Sequence, residues 1–122
     1  MLCDLVYASS TASFGLPEIK LGTIPGMGGT QRLVHRVGRT RAMEMILLGD
    51  PISAQEAKEL GLVNGVFEGE ELTKKVMEKA ELIAEKSGTI CQMAKRAVKV
   101  GKFDKFPHFF SFPSLGLSMA KS

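Results

Sequence analysis

The sequence predicts a mixed α/β chain in which short strands come first and helices follow. Three observations carry that prediction. The opening stretch LCDLVYAS is apolar and β-rich, and a Ser-Thr cluster after it signals a turn. From Leu21 to Gly29 no period holds, and Gly22, Pro25, Gly26, Gly28 and Gly29 mark an irregular loop. Beyond that loop, apolar residues recur at helical spacing almost to Gly101.

The elements follow in order. ASFGLPEI reads as a second extended piece, broken by Gly15 and by Pro17, which pushes Leu16 away from helical angles. TQRLVHRVG places Leu33, Val34 and Val37 on one helical face and stops at Gly38. TRAMEMILLG is apolar nearly all round and stops at Gly49, so it is expected to be heavily buried. ISAQEAKELG carries a capping box, with Ser53 as N-cap, Glu56 at the third helical position and Gly61 past the end. LVNGVF is a strand candidate split by Asn64-Gly65. Residues 70–87 put Leu72, Val76, Ala80, Ile83 and Ala84 on one stripe, with Glu71 and Lys75 as a favourable pair four residues apart. TICQMAKRAVKVG repeats the pattern with Ile90, Met93, Ala94, Ala97 and Val98. The last stretch, KFDKFPHFFSFPSLGLSMAKS, has five phenylalanines and no sustained period. Residues 102–122 are therefore set apart as an atypical tail, and residues 1–101 as one domain or part of one.

Bulk composition excludes several classes. A hydrophobic content of 44% with 24% charged residues is globular rather than disordered. The net charge of +3 permits contact with anionic ligands without demanding it. Cys3 and Cys91 make neither a disulfide framework nor a metal pattern, which points to a reducing compartment. His35 and His108 are too scattered to hold a metal. No apolar run is long enough to span a bilayer, and MLCDLVYASS lacks the basic start of a signal peptide.

FGLPEIKLGTIPGMGGTQR, residues 14–32, holds five of the chain's 13 glycines around one carboxylate, Glu18. A phosphate-binding P-loop is excluded because no G-K-[ST] follows. The dinucleotide fingerprint fails because Gln31 stands where its third glycine belongs. The loop leads into a helix near Thr30, so its amides could face an anion or a polarised oxygen; the plainer reading is backbone passing close to backbone. If Leu16, Pro17, Ile19, Leu21 and Ile24 surround Glu18, they desolvate it and suit it to exchanging a proton near neutrality. On composition alone, a turn glutamate facing solvent is the plainer reading. Arg32, Arg36, Arg39 and Arg41 with His35 form one basic span, and Lys95, Arg96, Lys99, Lys102 and Lys105 another. They suit RNA or cofactor phosphates, or a solvated face paired with Glu44, Glu56 or Glu59. No interleaved aromatics or nucleic-acid motif accompany them, so the paired face is favoured. Cys91, beside Ile90, reads as a core residue.

FGLPEIKLGTIPGMGGTQRL, followed by GRTRAMEMILLGDPISAQEAKELGLVNGVF, resembles the enoyl-CoA hydratase/isomerase (crotonase) family, from about Cys3 to Gly101. It is most similar to the short-chain 2-enoyl-CoA hydratases. The resemblance implies an α/β fold of crotonase (ClpP/crotonase) type, here a fragment of the β-β-α spiral followed by C-terminal helices. It implies a hydro-lyase in which two glutamates hold a water and add it, syn, across the double bond of a 2-trans-enoyl-CoA in fatty-acid β-oxidation or related acyl-CoA metabolism. Glu18 falls on the second glutamate, the general acid/base that delivers a proton to C2. Gly26 falls on the loop glycine whose backbone helps hold the water. No cofactor or metal is implied, because the CoA thioester is itself the substrate. The resemblance further implies a homo-oligomer, trimer or hexamer, that is intracellular: mitochondrial if eukaryotic, cytoplasmic if bacterial. Neither membrane nor nucleic acid is an implied partner.

The first glutamate and an oxyanion-hole amide belong, in the family, to a G-G-G-x-E-L-type segment that the 122 residues do not contain. The chain is therefore expected to be the C-terminal half of a hydratase with an altered end. Exposed strand edges are expected to make it poorly stable or oligomeric. The alternative is a catalytically inactive fragment that assembles with intact family members, and a third reading is RNA binding through Arg32–Arg41.

Overall fold

Only three residues, Tyr7–Ser9, of the β-rich opening pair as a strand, β1; a second strand, β2, follows at Ser13–Phe14. The structure is a computed structural model and describes residues 2–100. A 3-10 turn over Pro17–Leu21 leads through a loop into α1 (Gly29–Val37) and α2 (Arg39–Leu48). Then come β3 (Ile52–Ser53), α3 (Ala54–Glu59), β4 (Gly65–Phe67), α4 (Gly69–Ala84) and α5 (Gly88–Val100). The chain divides into two units, Met1–Glu81 and Leu82–Ser122. The expectations for residues 102–122, including those for His108, Lys102 and Lys105, lie outside the described residues.

In the first unit, β1 runs parallel to β4 and β2 antiparallel to β3. Asn64 extends the first pair: its N–H donates to the Val6 carbonyl at 2.6 Å, and its Oδ1 accepts the Val6 N–H at 2.8 Å. The side chain thus stands in for a rung of the ladder, which is why the strand starts only at Gly65. Tyr7 faces Gly65 in register, and a Cβ on Gly65 would lie 3.2 Å from the Tyr7 ring. The ring instead leans toward Phe67, centroids 6.0 Å apart. At the other end the Ser10 N–H donates to the Phe67 carbonyl and its Oγ to Glu68, both at 2.9 Å.

The core gathers Ala8, Leu33, Ala42, Met45, Ile52, Ala54, Ala57 and Val63. Half of these are alanines, so the chain backbones approach closely. Leu33 is the largest side chain in the core that is fully buried. An apolar cavity of about 190 Å³ adjoins it, lined by Val6, Phe14, Gly15, Leu16, Leu33, Met45 and Leu62.

The expected burial of TRAMEMILLG is corrected: α2 buries Ala42 and Met45 but exposes Met43, Leu47 and Leu48, at 47%, 59% and 57%. Residues 42 and 45 share a face at three-residue spacing, and only that face meets the core. The long helices follow the same pattern in weaker form. In α4, Leu72 and Val76 are half-buried while Ala80, Ile83 and Ala84 are exposed; Lys75 bonds Glu78 at 3.2 Å in place of the expected Glu71. In α5, Cys91 and Ala97 are half-buried, whereas Ile90, Met93 and Val98 are exposed. Cys91 is thus a half-buried residue and not part of the core.

The capping box over α3 is half built. The Glu56 N–H donates to Ser53 Oγ at 3.2 Å, but the Glu56 carboxylate turns to Arg41 instead of reaching back. Leu60 closes the helix and Gly61 follows at φ +73°, as the sequence predicts. Ser53→Ala is expected to lower stability by about 1 kcal/mol, because the amide of Glu56 loses its acceptor. Urea unfolding of the two chains checks this, and an unmoved midpoint would show the cap to be idle.

Candidate functional site

Glu18 sits in the 3-10 turn, whose start and end are both written in the sequence. Pro17 occupies the first helical position, where its missing N–H is harmless, and Leu16 before it lies away from helical angles at φ −128°, ψ 81°. Gly22 ends the turn in the left-handed region at φ +74°, its N–H bonded to the Ile19 carbonyl at 3.1 Å. The Thr23 N–H donates to the Glu18 carbonyl at 3.2 Å, which ties down the backbone that carries this carboxylate.

The side chain is half-buried, and its Oε2 is cut off from solvent with no hydrogen-bond partner among the described residues. A carboxylate oxygen in that position is costly to leave unmet and calls for a donor. The apolar enclosure that the sequence suggests is only partly built. Leu16 packs against the core, but Leu21 and Ile24 are 81% and 73% exposed. The shielding of Oε2 therefore does not come from the full set of neighbours in sequence.

Gly26 opens a tight turn, its carbonyl accepting the Gly29 N–H at 2.8 Å. The two residues between, Met27 and Gly28, have φ of +51° and +70°, the arrangement of a type I′ turn. Arg32 braces it, Nε donating to the Met27 carbonyl at 3.1 Å. A Cβ on Gly29 would lie 3.0 Å from Pro25 Cβ and 3.5 Å from Leu16 Cδ1. Gly29 thus lets the loop close against the residue that precedes the Glu18 turn. Gly26 differs. Its φ lies outside the left-handed region, it is exposed, and a Cβ there would meet nothing within 4 Å. Nothing in the packing of the described residues requires glycine at this position.

The basic span resolves toward internal pairing. Arg41 bonds both Glu44 and Glu56, which hold its guanidinium above the ordinary arginine range, the hydrogen bond to Glu44 contributing most and that to Glu56 next. Arg32 is engaged by the loop, and Glu59 accepts instead from Gln55 Nε2 at 3.1 Å. With two of the four arginines committed to the fold, the paired-face reading is the better supported one. Among the described residues no three His, Cys, Asp or Glu side chains gather as a metal site, and no helix is long and apolar enough to cross a membrane.

Sequence reasoning missed one contact. Lys20 Nζ lies 2.6 Å from Asp50 Oδ1, tying the Glu18 turn to the end of α2 across thirty residues. The only signal was Gly49 beside Asp50, which reads in sequence merely as a helix stop.

Chemically, the site as described offers one carboxylate with an unmet oxygen and a nearby glycine turn. A carboxylate of this kind can hold or move a proton.

The enoyl-CoA hydratase/isomerase family model matches residues 1–108. The chain is 52% identical over 98 residues to the mitochondrial enoyl-CoA hydratase of Pongo abelii, covering 80% of this chain and 34% of that protein. It is 44% identical over 101 residues to a short-chain-enoyl-CoA hydratase of Clostridioides difficile, covering 83% of this chain and 65% of the relative. Among solved structures, the enoyl-CoA hydratase of Bacillus anthracis matches with a TM-score of 0.79 and 47% identity, over 81% of this chain and 38% of that one. The chain thus spans about a third of the first of these relatives, and its relatives include both mitochondrial and bacterial proteins. The fold is that of the crotonases, and the chain belongs to the enoyl-CoA hydratase/isomerase family.

Proposed function

We propose that this chain supplies the proton-handling wall of an acyl-CoA hydration site. In this reading water adds syn across the C2=C3 bond of a 2-trans-enoyl-CoA: its oxygen bonds to C3, and Glu18 delivers the proton to C2. The observation that carries the reading is the shielded, unmet Oε2 of Glu18, since a water or substrate donor is what such an oxygen lacks. Gly26 supports it, because a glycine that the fold does not need leaves backbone open to close approach by water and thioester. The companion glutamate and one oxyanion-hole amide would come from a G-G-G-x-E-L-type segment outside these 122 residues, and the other amide from further upstream of it. No cofactor is required beyond the CoA thioester substrate. The working form is a homo-oligomer, trimer or hexamer, in mitochondria if eukaryotic and in cytoplasm if bacterial.

Gly26→Ala tests this reading apart from stability. Crotonyl-CoA hydration is expected to fall about tenfold or more, since a misplacement of about 1 Å at a reacting centre can cost about a hundredfold. The unfolding midpoint is expected to stay put. Full turnover in the alanine variant would remove the role given to the loop. The assay uses the chain joined to the G-G-G-x-E-L-bearing portion of a relative, so that both halves of the site are present.

One observation favours a second reading, an inactive subunit that assembles with intact family members: Leu21, Ile24, Met43, Leu47 and Leu48 are all exposed. Co-purification with an intact hydratase, without turnover by the joined chain, would select it.

A further inference from the structure

We propose that Gly49, with the Lys20–Asp50 ion pair, is a clamp at the end of α2 that positions the Glu18 carboxylate. The inference rests on the proton-handling role proposed for Glu18. Gly49 caps α2 in the left-handed region at φ +65°, its N–H donating to the Met45 carbonyl at 3.1 Å. A Cβ at this position would lie 2.9 Å from Ile19 Cγ2 and 3.2 Å from Lys20 Cε. Both neighbours belong to the 3-10 turn, immediately after Glu18. Gly49 therefore meets two demands at once: a backbone conformation that side-chain-bearing residues rarely adopt, and direct contact with the turn that carries the carboxylate. Gly49 itself is buried.

One residue further on, Asp50 takes the ammonium of Lys20 at 2.6 Å. Both side chains are more than half exposed, so the pair adds little to global stability. Its effect is local. It fixes the azimuth of a five-residue turn that buries no side chain of its own. Leu16, the residue before the turn, lies beside Gly29 at the start of α1. Neither Gly49 nor the ion pair is placed here in contact with the reacting atoms; they act through the side chains of Ile19 and Lys20.

A methyl at residue 49 meets the Ile19 and Lys20 side chains and must displace them; in this proposal the displacement is passed on to the turn that carries Glu18. Lys20→Met removes the ion pair without backbone strain and keeps the foldedness question separate. The full chain, labelled with 13C in its glutamate carboxyls, is the sample; the Glu18 resonance is the one lost in Glu18→Gln. In both Gly49→Ala and Lys20→Met that resonance is expected to move while the dispersed spectrum of the core persists. In the chain joined to the upstream portion of a relative, kcat for crotonyl-CoA is expected to fall about tenfold or more in Gly49→Ala, with KM within about twofold. If Gly49→Ala does not fold, Lys20→Met decides on the same resonance. An unmoved Glu18 resonance in the folded variants overturns the clamp, whatever Glu18 does in catalysis. A moved resonance together with full activity of Glu18→Gln keeps the clamp and removes instead the role proposed for Glu18.

Discussion

Leu33→Ala is expected to destabilise the chain by about 2–5 kcal/mol, toward the upper end of that range. Leu33 is 2% exposed and is the largest fully buried side chain among the described residues. Its partners in the core are few and small, four of the eight being alanine. A leucine truncation costs the transfer energy of the lost methyl groups plus a term that grows with the space left behind. Here the side chain already borders an apolar cavity of about 190 Å³, so the new space joins an existing void. Neighbours such as Phe14, Leu16 and Met45 line the same void and would have to cross it to refill the site. A stability of ordinary size, about 5–15 kcal/mol, is cut deeply by such a loss. Urea unfolding followed by circular dichroism reads the effect, and a midpoint that matches the wild type would show that Leu33 does not anchor the core.

Helix positions and turn chemistry were legible because they are local. Gly38, Gly49 and Gly61 stop helices where the sequence places them, and Ser53 caps α3 through the amide predicted for it. Strand lengths were less so. LCDLVYAS has strand propensity throughout, yet only Tyr7–Ser9 find a partner, since pairing depends on Gly65–Phe67, almost sixty residues away. The burial of α2 was misread for a related reason. An all-round apolar helix states that it can be buried on every side, but not what is present to bury it, and here only the Ala42–Met45 face meets a partner. The site divides along the same line. Glu18 and Gly26 were marked by their motif, and the reason for Gly29 appears only when Pro25 and Leu16 are seen against it. The Lys20–Asp50 link and the contact of Gly49 with Ile19 are long-range and left no pattern in the sequence.

Glu18→Gln carries the second large expected effect. The amide is nearly isosteric with the carboxylate, so the 3-10 turn and its hydrogen bonds through the Glu18 carbonyl should persist. What it loses is the ability to take and give a proton. General acid/base catalysis by a positioned side chain contributes about 10²–10⁴ in rate, and a loss of that order in kcat is expected. The shielded Oε2 sharpens the expectation: among the described residues it has no hydrogen bond that the amide could disrupt, so stability should change little. Rate and stability are thereby separated in a single variant.

The most direct measurement is the rate of crotonyl-CoA hydration, followed by loss of the enoyl-thioester absorbance, for the chain joined to the G-G-G-x-E-L-bearing portion of a relative. Wild type and Glu18→Gln are compared at matched unfolding midpoints. A fall of about 10²–10⁴ in kcat on losing the carboxylate is the predicted result; equal rates in the two proteins would contradict the assignment of the proton-handling wall to Glu18.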